Sequence, residues 1–335
     1  MIRFHNVRLA AVVAAALVVV LPAWTASPAP ATPVAAARDS GRPVVLMLPG
    51  RGLDGSDTAS LRRAWNSALD QGIASVTGER LLDEHDLRLV WYADALEPGT
   101  GACPVERGEE EERAGPQRER RGPEWARDVG AALKSAGTLM GLVAQWVEGP
   151  EGEALRSMAG DLVYLGDDGQ RCGAEERLAE ALAAAGREGR PVILVAHSFG
   201  ALVSYHHLET RPDGSPRIER WITVGSLLGH PELREVLLDG GGGPGVPAGV
   251  GSWVNVHDPR DPLAAPLVGI RSSTGHTVAI EDRTTEGRGA GNPHDPERYL
   301  SDPATARAVV EAWCRAAEAT PVRPRASPGA PAACR

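Results

Sequence analysis

The sequence predicts an α/β protein built on a mostly parallel sheet of about six strands with helices on both faces. Three observations predict it. Short apolar, β-branched runs alternate with helix-like stretches, as strands buried on both sides do. The chain has 335 residues, 42% hydrophobic and 24% charged, enough for one large globular α/β domain. No internal repeat divides it.

Taken in order, the elements begin with an address. Arg3 and Arg8 precede an unbroken apolar run from Leu9 to Leu21, closed by Pro22. That run is too short for a spanning helix, which needs roughly 20 apolar residues, and suits a signal-peptide core. Residues 1–26 are therefore read as a signal peptide, with the cleavage point as late as residue 37. The competing reading is an uncleaved N-terminal anchor that would associate with a membrane. Both readings place the protein outside the cytoplasm, secreted or anchored. A Pro/Ala-rich linker follows at 27–42, then the folded domain at 43–318 and a disordered tail at 319–335.

Within the domain, strands are expected at Val44–Leu48, Leu87–Ala93, Val192–Ala196, Arg220–Val224, Trp253–His257 and Thr277–Ile280. Helical patterns fall near 57–71, 124–147, 151–165, 174–187, 200–209 and 303–318. The last begins with Ser301 and Asp302 ahead of Pro303, a cap followed by a first-turn proline. Residues 94–190 form a long insertion between the second and third strands. Its charged run at 107–121 reads as a solvated loop, and the apolar Leu139, Leu142, Val143 and Trp146 suit either a cap or a core-facing helix. The glycines of 239–249 mark a surface loop.

Charge and cysteines narrow the function classes. A net charge of −9 with no basic, aromatic-interleaved stripe excludes a nucleic-acid binder. Lys134 is the single lysine, so a lysine-based mechanism has one candidate, in a helical stretch. Four cysteines fit an oxidising compartment. Pairing in chain order, Cys103 with Cys172 and Cys314 with Cys334, is the preferred of three connectivities. None lies in a zinc-type spacing, so no metal is expected.

Chemistry is suggested by "AHSFG". Ser198 stands between a strand and a helix, with Ala196 and Gly200 two residues to either side. A serine on such a sharp turn has its hydroxyl lifted above the carboxyl edge of the sheet, and the tight turn demands small flanks. The hydroxyl becomes a competent nucleophile only when a base takes its proton and a carboxylate orients that base. Strand five runs into "DPRDPLAAP", placing Asp258 and Asp261 at the correct edge. Asp261 is preferred, because its three-residue step from the strand leaves room to turn back; Asp258 suits a turn cap beside Pro259.

Nine histidines compete for the role of base. His5 lies in the signal segment, and His85 at the wrong end of strand two. His197 adjoins the serine, where the turn directs it away. His206 and His207 lie too far along the following helix, while His230 and His257 precede the acid. His276 opens the sixth strand at its amino edge. His294, in "GRGAGNPHDPERYL", follows the sixth strand and is the candidate. For the oxyanion, the N–H of Phe199 is one expected donor. Arg51, in the glycine-containing "LPGRGLDG" after strand one, is the other.

"AHSFG", "LPGRG", "DPRDPL" and "NPHDPERYL" together resemble the α/β-hydrolase superfamily. The likeness is to a short form that starts at the strand before the oxyanion loop, across roughly residues 43 to 318. Ala196 departs from that family's first glycine while remaining small. The resemblance implies a serine nucleophile, an acyl-enzyme intermediate, no metal and no cofactor, and a small-molecule or lipid ester substrate. Acyl transfer, peptide hydrolysis and a non-catalytic binding role on the same fold remain the alternatives.

Overall fold

The computed structural model describes residues 41–51, 57–96, 164, 167–211, 215–229, 245–267, 279–287, 291–319 and 334. The expected signal peptide, nearly all of the linker and tail, the 107–121 run, Cys103, and the helices near 124–147 and 151–165 (Tyr164 apart) lie outside these residues.

A six-stranded, all-parallel sheet is flanked by helices. Its strands are β1 (Val44–Leu48), β2 (Leu87–Leu89), β3 (Val192–His197), β4 (Ile218–Val224), β5 (Ser252–His257) and β6 (Ala279–Thr284). Their spatial order is β2-β1-β3-β4-β5-β6. The helices are α1 (Thr58–Thr77), α2 (Asp168–Arg187), α3 (Phe199–Thr210), α4 (Pro296–Ser301) and α5 (Pro303–Ala319).

The period of two explains why β1 carries no polar residue. Val44, Leu46 and Leu48 pack into one core with Leu178 and Leu182 of α2, Leu202 of α3 and Trp221 of β4. Val45 and Met47 point the other way, into a second core with Trp65 and Leu69 of α1 and Val309 and Trp313 of α5. All five residues of β1 are therefore buried, as a strand covered on both faces requires.

Capping follows the side-chain chemistry. Asp57, Asp167 and Asp295 each accept two backbone N–H groups at the starts of α1, α2 and α4. Asp302 accepts the Ala304 N–H at 2.9 Å, immediately before Pro303 opens α5. Gly72 lets α1 approach α4 closely, because a Cβ there would lie 2.9 Å from the Leu300 and Ser301 carbonyl oxygens.

β4 begins at Ile218, two residues before its expected start at Arg220, and two other strands differ from expectation more substantially. β2 stops at Leu89 instead of continuing to Ala93, and Ala93–Leu96 forms a 3-10 turn. Here Tyr92 leaves the ladder to donate its hydroxyl to the Pro49 carbonyl. β6 runs later than Thr277–Ile280, through the polar "AIEDRT". An edge strand tolerates these charges because they find partners. Asp282 accepts from Asn255 at 2.8 Å, and Arg283 pairs with Glu281 and Glu311.

Cys314 and Cys334 form a disulfide with Cα atoms 5.3 Å apart, which ties residue 334 to α5. Cys172 is also disulfide-bonded; its expected partner, Cys103, lies outside the described residues. The oxidised pair is consistent with an extracytoplasmic location. Among the described residues no helix is long and apolar enough to cross a membrane.

The strand order reverses direction between β1 and β3. In open α/β sheets such a switch point opens a crevice at the carboxyl edge. Leu48 pairs with Ala196, so the chain leaves β1 and β3 at the same level.

Candidate active site

Ser198 sits where β3 becomes α3, with φ 53° and ψ −123°. It is the one non-glycine residue with positive φ among the described residues. Backbone of this kind costs on the order of 1–3 kcal/mol and persists only when its surroundings dictate it. They do so from both sides. The Ser198 N–H donates to the Val224 carbonyl at 3.0 Å, and its own carbonyl accepts the Ala201 N–H at 3.0 Å. Gly200 has no room for a side chain, since a Cβ would lie 2.6 Å from the Pro49 oxygen. Ala196 is fully buried.

The structure brings Ser198, His294 and Asp261 together from three separate segments. His294 Nε2 lies 2.9 Å from Ser198 Oγ, and His294 Nδ1 lies 2.8 Å from Asp261 Oδ2. A carboxylate oxygen accepts, so the proton belongs on Nδ1 and the Nε2 lone pair faces the serine hydroxyl. Asp261 is fixed as firmly as its partner. Its Oδ1 accepts the Leu263 N–H at 2.9 Å, while Oδ2 also accepts the Tyr299 hydroxyl at 2.8 Å. Its own N–H donates to the Asp258 carbonyl at 2.9 Å.

His294 owes its place to two local devices. Its N–H donates to Asn292 Oδ1 at 3.0 Å, and the next residue, Asp295, caps α4. The neighbouring carboxylate that competed with Asp261 is differently engaged. Asp258 accepts from the Arg260 side chain at 2.7 Å and lies 3.5 Å from Arg298. Its hydrogen bonds from the Arg260 side chain, above all, hold the carboxyl below its usual range. It also accepts the Arg260 N–H at 2.9 Å, closing the turn at Pro259.

Three participants were not identified from sequence. Tyr299, on α4, donates to Asp261 and accepts the Asp258 N–H at 3.0 Å. Burial, then the adjacent Asp261 charge, push its hydroxyl well above the ordinary tyrosine value. The tyrosine follows His294 by five residues, just past a capped helix start, and that placement was its available signal. His197 packs with its ring centroid 4.8 Å from that of His294. Gly225, at the end of β4 with φ 61°, leaves space beneath the group; a Cβ there would lie 2.9 Å from Tyr299 Cε2.

Of the two candidate oxyanion donors, Phe199 adjoins the serine in sequence and Arg51 packs on the Phe199 ring. Phe199 opens α3, where an N–H has no intrahelical acceptor. Its ring packs edge-on against Tyr164, with centroids 4.8 Å apart. Arg51 lays its guanidinium 3.8 Å from the Phe199 ring centroid. Between β1 and Arg51, Gly50 abuts the serine: a Cβ there would lie 3.0 Å from Ser198 Cβ and 3.4 Å from its Oγ. Residues 52–56, the rest of that loop, lie outside the described residues.

Among the described residues no three His, Cys, Asp or Glu side chains converge as a metal site would require. The arrangement is a relay of hydrogen bonds from a carboxylate through an imidazole to a hydroxyl on a strained turn. No protein-family model matches the chain, and no curated protein matches its sequence.

Proposed function

We propose that this protein is an extracytoplasmic serine hydrolase of the α/β-hydrolase type, cleaving carboxylic ester bonds of small-molecule or lipid substrates. The observation that carries the reading is the unbroken contact from Ser198 Oγ to His294 Nε2, and from His294 Nδ1 to Asp261, at 2.9 and 2.8 Å. The chain order Ser, Asp, His and the location at the strand-order reversal support it independently.

In this mechanism His294 Nε2 takes the Ser198 proton as Oγ bonds to the substrate carbonyl carbon. Asp261 stabilises the resulting imidazolium and keeps the ring oriented. The carbonyl π electrons move onto oxygen, where the N–H groups of Phe199 and Arg51 receive the negative charge. One such donor is worth about 3–4 kcal/mol of barrier. Collapse of the tetrahedral intermediate breaks the ester C–O bond, and the leaving alkoxide takes the proton from His294. Water then attacks the acyl-enzyme with His294 again as base, releasing the acid and restoring Ser198. We further read the 94–190 connection as an insertion in a short form of that fold.

Labelling by a fluorophosphonate probe tests the proposal, comparing the wild type with Ser198→Ala, each shown folded by circular dichroism. Labelling that disappears in the variant supports an activated serine, and an acyl-ester panel would follow. A folded wild type that stays unlabelled, with the probe shown to enter, would overturn it in favour of a binding role.

A further inference from the structure

We propose that His197, the residue before the candidate nucleophile, is a positioning residue that fixes the peptide of His294 and thereby aims the base. The inference rests on the hydrolase reading for its functional meaning, although its geometry stands apart from that reading.

Strand alternation explains where this side chain goes. Ile193 and Val195 of β3 face the core shared with α1, α4 and α5, and His197 continues their face. It packs edge-on against Trp65, centroids 6.2 Å apart, and at 6.0 Å from Tyr299. From there its Nε2 lies 3.0 Å from the His294 carbonyl oxygen. A carbonyl can only accept, so the His197 proton resides on Nε2 and donates. The other ring nitrogen, Nδ1, is buried without a hydrogen-bond partner and faces Gly50, whose Cβ would lie 3.0 Å from it.

A histidine kept for packing alone would not need its single donor aimed at this carbonyl. Together with Asn292, His197 pins both peptide groups that flank the His294 Cα, one through N–H and one through C=O. Its neutrality suits the task. Burial first, and the His294 charge second, hold its imidazole well below the ordinary histidine value. A neutral donor can therefore remain beside His294 while that ring gains and loses a proton. Displacing reacting groups by about 1 Å is enough to cost on the order of 100-fold in rate.

Histidine-selective nitrogen NMR and fluorophosphonate labelling on the full chain test this together. In the wild type, His197 should titrate as neither ring nitrogen and hold the neutral Nε2–H tautomer. An Nδ1–H tautomer or a charged ring at neutral pH would overturn the proposal without any variant. His197→Leu removes the donor; His197→Gln retains an amide N–H near the Nε2 position. The expected result is a weakened Nδ1–H···Asp261 proton signal from His294 in His197→Leu, with labelling slowed about 10- to 100-fold. His197→Gln should restore both to within about fivefold of wild type. Wild-type signal and rate in His197→Leu would overturn the proposal, as would a glutamine variant no better than leucine. A wild type that is never labelled, yet loses the His294 signal on His197→Leu, would support the positioning role and overturn the hydrolase reading alone.

Discussion

Replacing Gly225 by alanine tests whether the space beneath the candidate triad is a real constraint. Two costs can be separated from the structure. The backbone cost arises because Gly225 has φ 61°, where an L-residue is strained by about 1–2 kcal/mol. The packing cost arises because the new Cβ would meet Tyr299 Cε2 at 2.9 Å, Asp261 Oδ2 at 3.4 Å and His197 Cδ2 at 3.4 Å. Overpacking a core of this kind costs about 1–3 kcal/mol. Gly78, at the end of α1, supplies the control. It has φ 78° with nothing within 4 Å of a Cβ, so Gly78→Ala incurs the backbone cost alone. Urea unfolding of both variants, with the slopes unchanged, reads the difference directly. Gly225→Ala should be the less stable by about 1–3 kcal/mol. Because the obstructed atoms belong to three site residues, it should also slow probe labelling, which Gly78→Ala leaves intact. Equal stability of the two variants would refute the reasoning, since the neighbours would then yield at no cost.

Asp261→Asn should lower ester turnover on the order of 10⁴-fold, the effect of losing the carboxylate that orients a triad histidine. Asp258→Asn should leave turnover within about threefold while lowering stability by about 1–3 kcal/mol, because its bonds are to Arg260 and Arg298; the reverse ranking in steady-state kinetics would reassign the acid. Elsewhere, between α2 and α3, burial pushes the Glu175 carboxyl up to about 7 from 4.5. The fold thus prefers its protonated form. That contribution is complete below pH 4.5 and is lost as pH rises through 7. Glu175→Gln should remove this loss, flattening the stability profile by up to about 3 kcal/mol above pH 7 in unfolding titrations. An unchanged pH dependence would show that Glu175 ionises freely in the folded protein.

Periodicity made the parallel sheet legible because its strands are buried on both faces. Val44–Leu48 coincides with its expected bounds, and β3 and β5 differ from theirs by one residue. Edges were harder to read. β6 carries Glu281, Asp282 and Arg283; Asp282 is met by Asn255 of β5 and Arg283 by Glu311 of α5, and no local pattern announces such support. α4 is a six-residue helix, too short for a hydrophobic period to emerge. At the site, the ordering of strand ends was enough to nominate Ser198, Asp261 and His294, and the structure brings the three into hydrogen-bond contact. The turn that directs His197 away from the serine sends it along the opposite face of β3 to the His294 peptide, a contact that no local sequence pattern announces. Tyr299 was hidden for a similar reason: a buried aromatic reads as core until the partner of its hydroxyl is known.

The separation of the three groups along the chain also bears on when they can act. Ser198 precedes His294 by 96 residues, and Asp261 precedes it by 33. On the proposed hydrolase reading, a polypeptide synthesised from its amino terminus therefore carries the candidate nucleophile long before its candidate base exists. The parallel sheet adds to the delay, because each strand must wait for a distant neighbour before it can pair. On that reading the serine on its strained turn remains an ordinary hydroxyl until His294 is brought to it. Under the proposed function, competence arrives with the last part of the domain to be made, and a truncated chain ending before residue 294 would carry the candidate nucleophile without its candidate base.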